Sequence, residues 1–464
     1  MRIVIGILKW LVILVVLAVV AAAGWLYFAP PDLIRVGSHY SAKIVCSNVF
    51  LAGRDSQATL ETDVQAPGHW LLRLMDVSVD RTAGEVRAGL LGIFGGGLSV
   101  YREGQGCAAV PDGDIEAVRA RPAPPLSEIA APGEGVWPEG ETVEPLEDSE
   151  LYAVLNDEAL VGPGMRAVVV VRDGRIVGER YGEGFDENTR LLGWSMTKSV
   201  TAALIGRLVR EDRISVGETD LFENWTDGRS RISIANMLGM ASDLTWNEEY
   251  GDVSDVTRML YLEPDMAGFA ASMPLDTETP GGIGEVFEYS SGTTVMLSRI
   301  WENVFVSQAE ALAFPNDALF GPLGMSSAVL ETDARGTFVG SSYLYATARD
   351  WARMGLFLLQ RGVWNGRSLL PVGFVDWMVQ PHPASNGEYG RGQVWRRAPN
   401  AWLPGDNPDL PEDAFFMSGH DGQSVSIVPS EGLVVVRLGL TPTAMNYKPA
   451  FLVQALIDTL DRAD

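Results

Sequence analysis

The longest apolar run in the chain lies near its start. Residues 10–29 read WLVILVVLAVVAAAGWLYFA and carry no charge. A run of this length can cross the hydrocarbon core of a bilayer as a helix. Arg2 and Lys9 precede it and Pro30-Pro31 follows it, so the positive-inside rule predicts a cytoplasmic N-terminus and an exported remainder. Residues 1–29 are therefore predicted to form a single-pass signal-anchor.

A cleaved signal peptide is the alternative interpretation of the same run. Ala21-Ala22-Ala23 has the small residues of a cleavage site. The run continues, however, into Trp25-Leu26-Tyr27-Phe28, and such aromatic residues are typical of a membrane interface. The aromatic continuation favours an uncleaved anchor, and both interpretations remain open on the sequence.

Short apolar runs separated by turns follow the anchor. They include IVCSNVFLAG, HWLLRLMDVSVD and GEVRAGLLGIFGGGLSVYREGQGC. This spacing predicts a small strand-rich region over residues 30–120. Residues 121–148 are rich in proline and acidic side chains, which predicts an extended linker over the surface.

The pattern of residues 149–464 predicts an α/β domain of the α+β kind. Two segments read as hairpins, RAVVVVRDGRIVGERY with a turn at Asp173-Gly174 and QSVSIVPSEGLVVVRLGL. Helical spacing marks SELYAVLNDEAL, TKSVTAALIGRLVRED and FLVQALIDTLDR. Because the strands lie at both ends of the domain, an antiparallel sheet flanked by helices, with a helical subdomain between them, is expected.

Composition and charge narrow the classes of partner. The net charge of −25 repels nucleic acid and anionic lipid headgroups. The four histidines have no metal-ligand spacing and no glycine-rich phosphate loop occurs, so neither a metal nor a cofactor is predicted. The two cysteines, Cys46 and Cys107, are expected to form a disulfide in an exported chain. Two unrelated buried thiols are the alternative.

Candidate chemistry begins at LLGWSMTKSV. Lysine occurs only at Lys9, Lys43, Lys198 and Lys448, and Lys198 stands three residues after Ser195. At this spacing near a helix start the two side chains share a face. A serine hydroxyl needs a base to accept its proton. A desolvated lysine can be that base, whereas an arginine stays protonated.

Two further segments could complete such a site. Tyr289-Ser290-Ser291 follows a glycine-rich loop, and a tyrosine there could relay a proton. Residues 418–423, SGHDGQ, precede the second hairpin. Their small residues would let the backbone approach a substrate, and an N–H after the glycines could bind an oxyanion. Ordinary loop roles are the alternatives for each segment alone.

Together, Ser-x-x-Lys, Tyr-x-Ser and a glycine-containing strand near the end resemble the penicillin-recognising serine hydrolases. This superfamily includes class C β-lactamases, DD-peptidases, family VIII carboxylesterases and 6-aminohexanoate-dimer hydrolases. The resemblance is greatest to the last two, and SYLYATARDWARMG and YGRGQVW support the aminohexanoate branch. It implies an acylated Ser195, a general base Lys198 and a proton-relaying Tyr289. The backbone N–H groups of Ser195 and Gln423 would form the oxyanion hole, with Gly422 beside them.

The chain departs from the family pattern at two places. Ser291 replaces the usual asparagine, and His420-Asp421-Gly422 stands where Lys-Thr-Gly or His-Thr-Gly is usual. A mostly neutral histidine and an added carboxylate weaken the case for an anionic β-lactam. In this family the loop that contains Trp246 and Tyr250 rims the site, so both are candidate pocket residues. His420 is also a candidate base, although no G-x-S-x-G elbow occurs.

The sequence therefore predicts a serine hydrolase of a bacterial inner membrane, anchored through residues 10–29, with its catalytic domain in the periplasm. Its substrate is expected to be a small-molecule amide or ester. A β-lactamase or DD-peptidase is one alternative, and a non-catalytic cell-wall-binding protein of the same fold is another. The substrate and the oligomeric state are not predicted.

Overall fold

The computed structural model describes residues 2–123, 133–399 and 408–462. Residues 124–132, part of the predicted linker, lie outside the described residues. The helices of the described part are α1 Arg2–Phe28, α2 Asp32–Leu51, α3 Ser56–Thr59, α4 Ile115–Arg119, α5 Ser149–Asn156, α6 Glu158–Val161, α7 Thr197–Arg210, α8 Ile234–Leu238, α9 Asp255–Leu262, α10 Met266–Ala271, α11 Ser291–Glu302, α12 Gln308–Pro315, α13 Gly321–Leu323, α14 Ala348–Leu359, α15 Phe374–Val379 and α16 Pro449–Leu460.

The strands of the same residues are β1 Met75–Asp80, β2 Glu85–Leu90, β3 Phe94–Arg102, β4 Gly106–Ala109, β5 Gly133–Val136, β6 Gly140–Thr142, β7 Met165–Arg172, β8 Arg175–Tyr181, β9 Leu191–Leu192, β10 Val329–Leu330, β11 Leu344–Ala346, β12 Val363–Trp364, β13 Arg367–Ser368, β14 Phe415–Gly419, β15 Gln423–Val428 and β16 Leu433–Gly439.

The described residues divide into two compact units. The first unit takes residues from 1–101, 107–118 and 249–264, and the second takes the rest. The N-terminal region was predicted to end at residue 120, without a later contribution. The segment 249–264 was missed because its helix α9 has an ordinary amphipathic pattern, and the pattern does not say which core it joins.

Helix α1 is long and apolar enough to cross a membrane. In the described part of the chain, Val4–Phe28 is the one such helix, with a mean hydropathy of 2.9 and no buried residues in its most apolar stretch. A signal sequence near the N-terminus would have the same length and composition. The helix therefore fits both an uncleaved anchor and a cleaved signal peptide.

Helix α2 corrects part of the predicted strand-rich region. IVCSNVFLAG contains the β-branched Ile44, Val45 and Val49, which favour strands, but it lies almost wholly within α2. The polar side chains of α2 bond to carbonyls one turn back; Ser41 donates to Gly37 at 2.7 Å and Asn48 to Ile44 at 2.9 Å. The helix can therefore be buried around most of its circumference, and the usual helical periodicity disappears.

Residues 75–109 of the first unit are strand-rich, as predicted, whereas residues 56–65 and 70–74 form short helices. Strands β1 to β4 form an antiparallel sheet in sequence order, and α2 packs against it. A disulfide joins Cys46 of α2 to Cys107 of β4. Helix α9 lies on α2, where the rings of Tyr40 and Tyr261 meet edge to face at 5.5 Å.

The end of the predicted linker is not a simple surface strand. Strands β5 and β6 pair within it, and Trp137 between them is fully buried. The guanidinium of Arg353 lies 5.6 Å from the Trp137 ring centroid and donates to the carbonyls of Pro138 and Gly140. Proline and acidic content indicated an extended chain, but the single tryptophan supplies enough apolar surface to fix it to the second unit.

The second unit is built on a five-stranded antiparallel sheet in the order β14-β15-β16-β7-β8, which confirms the predicted fold class. Both predicted hairpins are present, and Asp173 and Gly174 have φ of 50° and 83°, as a two-residue hairpin turn requires. Val168, Val170 and Val435 pack towards α5 and α16, whereas Val434 faces Gly355 of α14. Burial on both faces explains the continuous valine runs.

Candidate active site

Ser195 lies in a tight turn immediately before α7. Trp194–Met196 form a single 3₁₀ turn that leads into the helix at Thr197. Trp194 has a φ of 48°, a left-handed conformation that a bulky residue rarely adopts. A Cβ atom at Gly193 would overlap the Trp351 ring, so the turn needs glycine there. Strain of this kind is often held at functional sites.

The Ser195 and Lys198 side chains are in direct contact. Lys198 Nζ donates to Ser195 Oγ at 3.0 Å, to Ser291 Oγ at 2.9 Å and to the Ser341 carbonyl at 3.2 Å. The predicted i, i+3 spacing on a helix start therefore places the amine against the hydroxyl. Ser291, predicted from the second motif, is on the other side of the amine at the first turn of α11.

Burial changes the acidity of this amine. Lys198 is 1% exposed, and desolvation lowers the pKa of its ammonium group to about 8, although the Glu248 carboxylate raises it. A lysine with this pKa is partly neutral near physiological pH. It can therefore accept a proton, as the sequence argument for lysine over arginine requires.

Tyr289 completes a compact group with Ser195 and Lys198. Lys198 Nζ lies 4.8 Å from the Tyr289 ring centroid. Burial, with a smaller effect from Glu248, raises the pKa of Tyr289 above its usual value, and an interaction with the Ser195 side chain lowers this pKa in part. The phenol therefore stays protonated and can serve as a donor. Its ring packs against Trp395 and Tyr389, with centroids 5.3 Å and 5.9 Å away.

Glu248 was not predicted from the sequence. Ser291 donates to Glu248 through its hydroxyl at 2.5 Å and its backbone N–H at 2.9 Å. The carboxylate thus continues a chain of hydrogen bonds that runs from Ser195 through Lys198 and Ser291. The only signal in the sequence was its position two residues after Trp246, and an acidic pair in a polar loop is normally solvated.

Trp246 and Tyr250, the two predicted pocket residues, have different positions. The indole N–H of Trp246 donates to Glu248 at 2.6 Å, and its ring covers Gly292 so closely that a Cβ there would overlap it. Trp246 therefore orients the carboxylate. Tyr250 belongs to the first unit and is about one-third exposed.

The His420-Asp421-Gly422 segment forms the turn between β14 and β15. A Cβ at Gly419 would overlap the Gly193 carbonyl, so this turn lies directly beside the one that carries Ser195. The His420 ring meets Trp194 edge-on at 5.6 Å. The Gln423 side chain donates to the carbonyls of His420, Asp421 and Gly439, so it holds the turn in place. The group of Gln423 that was predicted to bind an oxyanion is its backbone N–H.

Among the described residues, no three histidine, cysteine, aspartate or glutamate side chains form a group that could hold a metal ion.

A comparison with protein families identifies the family of the domain that contains this site. Residues 158–445, more than half of the chain, match the β-lactamase family model. The chain belongs to the β-lactamase family. The resemblance drawn from the three motifs is thereby confirmed.

Individual relatives of this β-lactamase-family chain are distant. It is similar to a 6-aminohexanoate-dimer hydrolase of Paenarthrobacter ureafaciens, with 28% identity over 225 residues that cover 45% of this chain and 56% of the relative. The matched region is thus little more than half the length of that curated relative.

Solved structures support the fold of the family. A family VIII carboxylesterase superposes with a TM-score of 0.52 and 14% identity, covering 70% of this chain and 99% of the esterase. A penicillin-binding protein homolog from Caulobacter crescentus gives a TM-score of 0.51 and 17% identity, with coverage of 68% and 99%. At these identities the likeness concerns the fold alone.

Proposed function

We propose that this β-lactamase-family chain is a serine hydrolase that cleaves an amide or ester through an acyl-enzyme on Ser195. One observation carries the proposal. The Ser195 hydroxyl lies 3.0 Å from a buried lysine amine whose pKa burial lowers to about 8. A serine so placed has the nearby base that it needs to act as a nucleophile.

In the proposed acylation, neutral Lys198 Nζ takes the proton of Ser195 Oγ as this oxygen attacks the substrate carbonyl. The backbone N–H groups of Ser195 and Gln423 stabilise the resulting oxyanion. When the intermediate collapses, Tyr289 donates its proton to the leaving nitrogen or oxygen, and the ammonium group of Lys198 then returns a proton to Tyr289. Water then attacks the acyl-enzyme, and its proton follows the same groups in reverse.

The charge around the site favours a substrate without a carboxylate near its reacting bond. Glu248 contacts the Lys198–Ser291 pair, and Asp421 stands in the turn beside Trp194. Burial raises the pKa of neighbouring Glu288, and the Asp276 and Glu248 carboxylates raise it further. A β-lactam carboxylate would add to this repulsion, whereas a neutral amide or ester would not. The similarity to a 6-aminohexanoate-dimer hydrolase agrees with the amide.

A panel of four substrates tests the reaction class. We expect the chain to hydrolyse a p-nitrophenyl ester and a 6-aminohexanoate dimer, with much slower turnover of nitrocefin and a D-Ala-D-Ala peptide. Values of kcat/KM measured on the purified full chain would rank them. Fastest turnover of nitrocefin would favour a β-lactamase, and saturable binding of cell-wall fragments without any turnover would favour a binding protein.

The proposed base also predicts the pH dependence of activity. Lys198 must be neutral to accept a proton, so kcat/KM should rise with pH through a limb near pH 8, the pKa that the buried ammonium has. Because the Glu248 charge raises this pKa, Glu248→Gln should move the limb to lower pH. The glutamine keeps an oxygen acceptor for the Ser291 and Trp246 N–H groups.

The matched control for this prediction is Glu288→Gln, which removes the same charge from a neighbouring position without a contact to Lys198. We expect its limb to stay close to that of the wild type. An unchanged limb in Glu248→Gln, or one at higher pH, would contradict the role given to the Glu248 charge.

The proposed location of the enzyme follows from α1. We propose that Val4–Phe28 anchors the chain in a bacterial inner membrane, with the hydrolase unit in the periplasm. The support is the length and apolarity of this helix, the positive charges of Arg2 and Lys9 at its N-terminal end and the aromatic residues at its C-terminal end.

A further inference from the structure

Four exposed apolar side chains gather in the first unit. Trp70, Leu74, Leu91 and Ile93, which we name the tip cluster, are 63%, 45%, 60% and 61% exposed. Apart from α1, the described residues of this unit have large exposed apolar side chains at only two other positions, Tyr250 and Val253. Single exposed apolar residues are ordinary, but a contiguous group of them indicates an interaction surface.

The backbone brings these side chains together. Trp70–Leu74 form a 3₁₀ helix that runs into β1, and Leu91 and Ile93 stand in the connection between β2 and β3. The Leu91 N–H donates to the Leu74 carbonyl at 2.8 Å, and the Ile93 N–H donates to that of Leu90 at 3.1 Å. The end of the 3₁₀ helix and the tip of the hairpin are thus joined by the hydrogen bond between Leu91 and Leu74.

Leu91 is an unusual residue for its place in the turn. Leu91 and Gly92 both have positive φ, of 55° and 71°, and such pairs are normally Asn-Gly or Asp-Gly. In this conformation the Cβ of a leucine crowds the following carbonyl, a cost that asparagine largely avoids. The fold therefore keeps a large apolar side chain, strained and exposed, where a polar one would fit better. Local strain of this kind points to a function.

The tip cluster lies close to the proposed membrane anchor. Ser38 Oγ of α2 is 3.4 Å from the Phe94 carbonyl, and a Cβ at Gly95 would lie 3.0 Å from Ile34 Cγ2. The hairpin tip therefore packs on the first turns of α2, which begins at Asp32, shortly after α1 ends at Phe28. At about 3.5 Å per extended residue and 1.5 Å per helical residue, the tip is within roughly 25 Å of the end of the anchor.

We propose that the tip cluster inserts into the outer interface of the bilayer that α1 crosses, as a second point of contact with lipid. This inference rests on the proposed anchor. Tryptophan with leucine and isoleucine is the composition that partitions into the headgroup and acyl boundary. Asp76 lies against Gly92, and its carboxylate limits the contact to the interface. With a chain charge of −25, apolar contact and not attraction to anionic lipid drives it.

Spin-label accessibility on the full chain in phosphatidylcholine liposomes tests the proposal. The native cysteines are joined to each other, so Ile93→Cys provides a single thiol for a nitroxide. Collisions with oxygen, which concentrates in lipid, are compared with those of an aqueous nickel chelate. We expect the label at position 93 to collide with the nickel chelate at least threefold less often than a label at Val306→Cys. Val306 belongs to the second unit and is 99% exposed.

A third label, Leu17→Cys in α1, separates the two proposals. Nickel access at position 17 would overturn the anchor. A protected position 17 with position 93 as accessible as position 306 would overturn the tip cluster alone, and would leave the hydrolase proposal untouched. Spin–spin broadening between labels at position 93 that persists when the chain is diluted in detergent would indicate that a second copy covers the cluster. That result would also overturn the proposed lipid contact.

Leu91→Asn supplies a variant of the tip cluster that is not expected to weaken folding. Asparagine suits the turn, so the midpoint of thermal unfolding should stay the same or rise. In this background we expect nickel collisions at position 93 to increase at least twofold. Unchanged protection in a folded Leu91→Asn chain would contradict a role for the strained leucine.

Discussion

Ser195→Ala is expected to abolish hydrolysis of the ester and the formation of any covalent adduct. The alanine removes the oxygen that would attack the carbonyl, and loss of a serine nucleophile typically reduces kcat on the order of 10⁴-fold or more. Intact mass measured after exposure to a fluorophosphonate would show a single added group on the wild type and none on the variant.

Ser199→Ala is the matched control for this experiment. Ser199 lies one turn further along α7 and donates to the Gln393 carbonyl at 2.6 Å, and it is not among the described hydrogen-bond partners of Lys198. We expect this variant to form the adduct like the wild type. An equal adduct on Ser195→Ala, or no adduct on the wild type with any acylating probe, would refute the nucleophile.

Lys198→Arg is expected to abolish turnover although it keeps the positive charge. A guanidinium remains protonated at any accessible pH, so it cannot take the proton of Ser195. Loss of a general base costs about 10²- to 10⁴-fold in rate, measured as kcat on the ester. Lys198→Met, which is neutral and of similar length, should be equally inactive, and this shows that the loss does not depend on the larger guanidinium.

The same substitution at another lysine controls for a general effect of arginine. Lys448 precedes α16 in the same unit, and Lys448→Arg is expected to retain the activity of the wild type. Thermal unfolding of each variant would report whether it is folded. Full activity in a folded Lys198→Arg chain would exclude Lys198 as the base.

The sequence was sufficient for those parts of the fold that local patterns determine. The β7–β8 hairpin has a valine run and an Asp-Gly turn that together fix its register, and α7 has a clear apolar stripe. Helix α2 was missed because its serine and asparagine side chains bond to carbonyls of the same helix. The helix can therefore be buried on most sides, and its sequence has no polar face that would reveal a helical period. Trp137 was placed in a linker because a single buried tryptophan has no period along the chain.

The candidate site divides in a similar way. Ser195, Lys198, Tyr289 and Ser291 belong to short motifs, and the structure brings their side chains together. The role of Glu248 depends on a contact between its loop and the first turn of α11, and no local sequence pattern distinguishes Glu248 from its neighbour Glu249. The role of the Gln423 side chain was likewise hidden, because it bonds to carbonyls that only the finished turn places around it.

The discontinuity of the first unit has a consequence for how the chain is made. The ribosome releases residues 1–118 well before residues 249–264, on the order of ten seconds earlier at ordinary rates of synthesis. Until α9 arrives, the side of α2 that carries Tyr40 lacks the neighbour that covers it in the finished molecule. An N-terminal fragment that stops at residue 118 or 248 is consequently not a domain, and any attempt to express the first unit alone must supply the later helix as well.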